Sequence, residues 1–289
     1  MHWKRISPAR LLNGVLLLCL GFVTLYPFWY VICYALSTYE DVIKVNLLFW
    51  PQNFTLENVS FILSTSDFLT IYGNTILVVV VGTLMSMAAT VTFSYGIARK
   101  APGHRVIGGL TFFTLIFTGG MIPTFMVVRA TGLLNTLWAL IIPRLVDPFN
   151  IFLMRNFFQA IPQELDESAS MDGAGTMRTL ISIILPLALP GIATLCLFYA
   201  VGYWNQFFEA VLYTSNRPQW TLQIMLHELL ISSSTDAVGS TSSADNFGAA
   251  LSTSIKMASV VVTVVPVMCI YPFLQRYFVK GVIVGAVKG

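Results

Sequence analysis

Glu164, Asp166, Glu167 and Asp172 crowd into nine consecutive positions of a chain that is otherwise mostly apolar. Ionised carboxylates accept charge-assisted hydrogen bonds and pair with cations, so a cluster of them is a polar docking element. The rest of the chain supplies no catalytic set to use them. It lacks a G-x-x-x-x-G-K-[ST] phosphate loop, an H-E-x-x-H, a G-x-S-x-G and any nucleophile beside a base. His2, His104 and His227 stand isolated, and Cys19, Cys33, Cys196 and Cys269 lie in apolar runs without metal-ligand or disulfide spacing. The expectation is a chain with no catalytic residue, no metal and no cofactor of its own.

The elements that must position the acidic cluster are membrane spans. Hydrophobic residues make up 56% of the chain and charged ones 10%, against about 25% charged in a typical soluble domain. Too little polar side chain is present to cover a water-soluble surface. A net charge of +3, with the basic residues scattered at segment ends, argues against nucleic acid as a partner. The N-terminus begins like a signal peptide, with Lys4, Arg5 and Arg10 before an apolar run. That run is about 26 residues, far beyond the roughly 7–15 of a cleavable segment, and reads as a retained first span.

A helix needs about 20 apolar residues to cross roughly 30 Å of hydrocarbon. Six stretches qualify, at approximately 11–36, 72–97, 107–128, 133–154, 180–212 and 257–279. Gly119, Gly120 and Pro123 mark a kinked third span, Pro143 and Pro148 interrupt the fourth, and Pro186 and Pro190 kink the fifth or lay its start along the surface. Lys4, Arg5, Arg10, Arg99, Lys100, Arg105, Arg155, Arg178, Arg276, Lys280 and Lys288 fall on one side, whereas the other holds only Lys44, Arg129, Arg217 and Lys256. The excess of positive charge makes the first side cytoplasmic, with both termini and the acidic stretch. Residues 37–71 and 213–256 face outward at a length that fits a contact surface or a connector, the latter carrying a short helical pattern at Leu222, Met225, Leu226, Leu229 and Leu230.

Within the acidic stretch, Pro162 suits a first helical position, Glu164, Asp166 and Glu167 suit the first turns, and Gly173 suits a left-handed stop after Asp172. The reading is a helix of two to three turns whose Leu165, Ser168, Ala169 and Asp172 share a face. Membrane-surface helices carry Lys and Arg toward anionic lipid. An acidic one is repelled, so a cytoplasmic protein partner accounts for its charge better than the headgroups do.

From Glu167 the residues read E-S-A-x-x-x-G and, nine residues later, I-x-L-P at Ile183, Leu185 and Pro186. This resembles the loop motif E-A-A-x-x-x-G-x9-I-x-L-P of permease subunits in binding-protein-dependent ABC importers, with Ser168 the one departure. "GLLNTLWALIIP", "RNFFQAIPQELDESASMDGAG" and the closing "QRYFVKGVIVGAVKG" extend the resemblance to the MalG-like permeases of the carbohydrate uptake branch, most strongly from about residue 70 onward. The resemblance implies a single permease domain of residues 1–289 with its core at about 70–280: an all-α integral membrane protein of six transmembrane helices, in a bacterial inner or plasma membrane. It implies a second permease subunit, two cytoplasmic ATPases that bind ATP and Mg, an extracytoplasmic solute-binding protein and a sugar. The loop at about 162–178 would be a coupling helix between spans four and five. Glu164, Glu167, Ser168, Ala169, Asp172, Gly173 and Ala174 would serve the ATPase contact, Ala169 by allowing close approach and Gly173 by setting the turn. The tail after Phe278 would reach the same interface, and residues 213–256 the binding protein.

The pathway is read from polar groups in apolar surroundings. Arg144 and Asp147 lie in the fourth stretch, where an ionised side chain costs about 2.5–3.5 kcal/mol on insertion scales. They fit either a mutual pair at a broken helix or a cavity lining that favours acidic or heavily hydroxylated sugars. Trp204, Asn205, Gln206 and Glu209 suit sugar recognition or interhelical contact. An oligosaccharide, with a uronate-containing one in view because of Arg144, is the expected cargo. The rival reading is a self-sufficient secondary transporter or channel, which would show internal repeats and midplane carboxylates; no repeat is visible, and Asp147 is the single carboxylate candidate.

Overall fold

The structure, a computed structural model, describes residues 8–44, 49–65, 67–236 and 253–269. The tail after Phe278, its basic residues, Lys4, Arg5 and the end of the sixth expected span lie outside the described residues. Within them the chain is helical, with one isolated antiparallel bridge, Ser37 to Phe54. It divides into two units: Met1–Phe68 with Leu226–Val265, and Leu69–Met225 with Pro266–Gly289.

In the first unit, α1 (Pro8–Ala35) provides the first span. No residue of its most apolar window is buried on the chain, as expected of a helix that is apolar all round and faces lipid or another subunit. Its end is different: Cys33, Tyr34 and Ala35 are buried. There the short helices α2 (Tyr39–Lys44) and α3 (Glu57–Ser64) are clasped by side-chain amides. Buried Asp41 accepts from the Asn53 backbone N–H at 2.8 Å and from Asn53 Nδ2 at 3.0 Å, and Asn58 Nδ2 donates to the carbonyls of Ala35 and Ser37 at 3.1 Å each. The Asp41 carboxylate and the Asn58 amide are thereby satisfied, the condition for keeping them out of water.

The second unit is organised around α4 (Phe68–Ala98), the second long apolar helix. Hydroxyl pairs tie it to the helix Leu189–Trp204 of the fifth expected span: Ser86 to Tyr203 at 2.9 Å and Thr90 to Tyr199 at 2.7 Å. Gly82 permits the approach, since a Cβ there would lie 2.7 Å from the Tyr203 ring. Small residues and interhelical hydrogen bonds take over where lipid removes the hydrophobic drive.

The next expected spans are broken, each at residues that account for the break. The third divides into α5 (His104–Ile116) and α6 (Met121–Ala130) across Gly119 and Gly120, the latter at φ 83°. The fourth divides into α7 (Trp138–Ile141), a 3-10 turn (Ile142–Arg144) holding Pro143, and α8 (Pro148–Gln159), which opens on Pro148. The fifth comprises Thr176–Leu187 and Leu189–Trp204, bent by 85° between Pro186 and Pro190. Ahead of Pro186 the backbone widens into a π turn, Leu180–Ile184, which relieves the clash of a proline ring with the preceding turn. Gly191 seats the second half on α8, where an added Cβ would meet the Phe157 ring at 2.6 Å.

Candidate functional site

The acidic stretch folds as α9 (Glu164–Met171), with Gln163 as its N-cap. Pro162 therefore precedes the helix rather than occupying its first position, because the Gln163 carbonyl already receives the N–H groups of Asp166 at 2.9 Å and Glu167 at 3.1 Å. The end is as the glycine demands. Gly173 adopts φ 77°, its N–H bonds the Ser170 carbonyl at 3.0 Å, and the Ala174 N–H reaches back to Ala169 at 2.9 Å. These two bonds are the Schellman pair that closes a helix on a left-handed residue.

What seats α9 is Asp166, one of the four clustered carboxylates. Its Oδ1 accepts from the Tyr95 hydroxyl at 2.7 Å, and its Oδ2 lies 2.7 Å from Arg99 Nη2. The second contact is an ion pair without hydrogen-bond alignment, as the Oδ2 atom has no aligned donor. Arg99 also donates to the Ile161 carbonyl at 3.3 and 3.4 Å, gripping the strand of chain that leads into the helix. Both charges are largely shielded, at 12% and 21% exposure. Ala169 is buried within the chain, so its close approach is to the protein's own body. Glu164, Glu167, Ser168, Met171, Asp172 and Gly173 remain exposed, and Ala174 is half-buried. The shared face expected for Leu165, Ser168, Ala169 and Asp172 is thus not the seated one. The helix sits on Asp166 and Ala169, i and i+3. Beside it opens a cavity of about 640 Å³ lined by Tyr95, Arg99, Lys100, Asp166, Glu167 and Met177, among others.

The second group of polar residues gathers at the other breaks. Arg144, exposed at the end of the 3-10 turn, lies 3.8 Å from Glu209 and over the Tyr203 ring at 5.8 Å, with Nη1 3.5 Å from the Gly202 carbonyl. Asp147 takes a different part: it caps α8, its Oδ1 accepting the Asn150 N–H at 2.9 Å. The two residues are three apart, yet Pro148 starts a new helix between their side-chain roles. Gln206 is buried and donates to the Leu140 carbonyl at 3.2 Å, and Trp204 is buried edge-on against Tyr72. Asn205 is exposed at the end of Leu189–Trp204, its Nδ2 donating to Val201 at 3.0 Å. Of the six polar candidates, Arg144, Asn205 and Glu209 keep polar side-chain groups exposed without a capping or buried role.

Tyr95, Arg99 and Asp166 were not among the residues that the sequence singles out for the coupling site. Arg99 follows the last residue of α4, where the helix dipole favours a cation; a basic residue ending a span next to an acidic helix was the available signal. Tyr95, 71 positions from its partner, offered none.

The sequence profile of the family described as "Binding-protein-dependent transport system inner membrane component" matches residues 14–284. Protein LplC of Bacillus subtilis (strain 168) is 40% identical over 272 residues, covering 93% of this chain and 91% of that one. The polygalacturonan/rhamnogalacturonan transport system permease protein YtcP of the same organism is 39% identical over 274 residues, covering 94% and 96%. In three dimensions the chain is similar to a chain of a bacterial ABC transporter involved in the import of the acidic polysaccharide alginate, with a TM-score of 0.84, 29% identity and coverage of 96% and 100%.

Proposed function

The chain belongs to the family of binding-protein-dependent transport system inner membrane components, and we propose that it forms half of the pathway of an ATP-driven sugar importer. On this reading it crosses the membrane six times with both termini in the cytoplasm, and pairs with a second permease. Two ATPases bind from the cytoplasm and hold the ATP and Mg, and a binding protein delivers an oligosaccharide from outside, touching residues 213–256. The sugar assignment draws support from the transport systems of the relatives. Two of those systems handle acidic polysaccharides by name, polygalacturonan and alginate.

The observation that carries the reading is the seating of α9. A helix bolted to the end of α4 through Asp166 and Arg99, with Glu164, Glu167, Ser168 and Asp172 left in the open, is a lever whose free face is polar. An ATPase cleft that closes on that face moves the helix as a body. Gly173 turns the chain, and the displacement passes through Ile183, Leu185 and Pro186 into the bent fifth span. The π turn there is the compliant joint, since its wider hydrogen-bond spacing tolerates rearrangement.

At the pathway, the Arg144 guanidinium is held by a distant carboxylate and a ring face. A uronate carboxylate competes for it on better terms, as bidentate pairing is the geometry that guanidinium favours.

Gly173→Val tests the lever. A β-branched residue at φ 77° costs on the order of 1–2 kcal/mol and re-aims the loop. Binding-protein-stimulated ATP hydrolysis by the purified importer should fall at least tenfold while the subunit still inserts and assembles. Stimulation at the wild-type level would remove the coupling assignment.

A further inference from the structure

A second cavity, of about 330 Å³, lies where the end of α4, the start of α5 and the end of α8 converge. Its polar walls include Lys100, His104, Arg105 and Arg155, and its apolar floor Phe112 and Phe152, which meet edge-on at 6.4 Å. No carboxylate lines it, and neither α5 nor α8 contains one. Among the described residues, His104, Arg105 and Arg155 therefore face the cavity without a carboxylate beside them, whereas Lys100 also borders the cavity that Asp166 and Glu167 line. Arg155 sharpens the point: its Nε is shielded from solvent and has no hydrogen-bond partner among the described residues. A shielded guanidinium N–H without an acceptor is costly unless something fills the place. Deeper along the same face of α5, Phe112, Leu115 and Ile116 expose apolar side chains, continuing the floor along the helix.

We propose that this cavity binds the phosphate headgroup of an anionic phospholipid, with its acyl chains lying along α5. Basic residues at the rim, aromatic and glycine surface beneath, and a position at the ends of three helices of a membrane protein are the combination that such a lipid satisfies at both of its ends. A soluble anion would leave the exposed α5 side chains unused. Gly109 keeps the floor open, for a Cβ there would meet nothing within 4 Å. Lys100 is held at the mouth by an unusual left-handed backbone, φ 53°, closed by the Ala101 N–H on the Gly96 carbonyl at 2.9 Å.

The site depends on residence in a membrane and not on the identity of the sugar or of the ATPase, and its test is read without transport. The full chain, purified with its companion subunits, is exchanged into detergent containing phosphatidylglycerol or phosphatidylcholine, and retained lipid is counted by native mass spectrometry. Phosphatidylglycerol should be retained preferentially. Its occupancy should fall about fivefold in Arg105→Gln or Arg155→Gln and roughly 25-fold in the double variant. Gly109→Leu, which keeps all four basic residues and fills the floor, should also displace it. Three outcomes overturn the proposal: equal retention of the neutral lipid, wild-type occupancy in the double variant, or displacement of the lipid by inorganic phosphate alone. A cross-link showing another subunit seated in the cavity overturns it as well.

Discussion

Two ion pairs in this chain look alike on paper and differ in every physical respect. Arg99 and Asp166 meet at 2.7 Å with 12% and 21% of their side chains exposed, and Tyr95 adds a hydrogen bond. Arg144 and Glu209 stand 3.8 Å apart at 41% and 39% exposure. The first is short, shielded and reinforced, so that neither member is free for another partner. The second is long and wet, the kind of pair whose net worth is about 0–1 kcal/mol, and its members exchange readily. A pair of the first sort fixes an element; one of the second sort keeps a charge available. On the proposed function, rigidity is what the lever at α9 requires, and availability is what a solute site at Arg144 requires.

Asp166→Ala breaks the contrast most severely. It leaves Arg99 without its counterion in a largely buried place, at a cost of about 3 kcal/mol. Thermal stability and coupled transport should both drop, and Tyr95→Phe should give a milder version of the same loss. Unchanged stability in Asp166→Ala would mean that α9 is held by something else. Next in size is Arg144→Gln. Losing a charged hydrogen-bond donor of about 1.5–3 kcal/mol should raise the half-saturating concentration of a uronate-containing oligosaccharide about tenfold, with uptake of a neutral one altered far less. Equal effects on both substrates would assign Arg144 to structure. Smallest is Glu209→Gln, where melting should shift by less than about 1 kcal/mol while the acidic substrate, freed of its competitor, saturates at lower concentration. A large loss of stability there would erase the difference between the two pairs.

Much of this was legible beforehand, for reasons that are local. A long apolar run has to be a membrane helix because its backbone must satisfy itself in lipid, and α1 and α4 follow. Gly173, Pro143, Pro148 and Pro186 act on their own turns, so the stop of α9 and the breaks in the later spans could be read one residue at a time. Pro162 misled by two positions, because helix starts depend on which carbonyl first collects N–H groups.

Pairing is another matter. Spacing offers Asp147 to Arg144 as a neighbour, and the folded chain takes Glu209 instead, since Pro148 turns Asp147 into the cap of α8. Glu164 and Glu167 look as available as Asp166 in the sequence; packing alone selects Asp166 for Arg99 and Tyr95. Trp204 and Gln206 read as either sugar-binding or interhelical groups, and the folded chain buries them in contacts with Tyr72 and Leu140. What the amino-acid order determined by itself was membrane residence, the turns and the presence of an acidic helix, all governed by forces acting within a few residues. Which charge is spent on holding the molecule together and which stays open to a ligand was decided only by the tertiary structure, because burial is a property of the segments brought alongside.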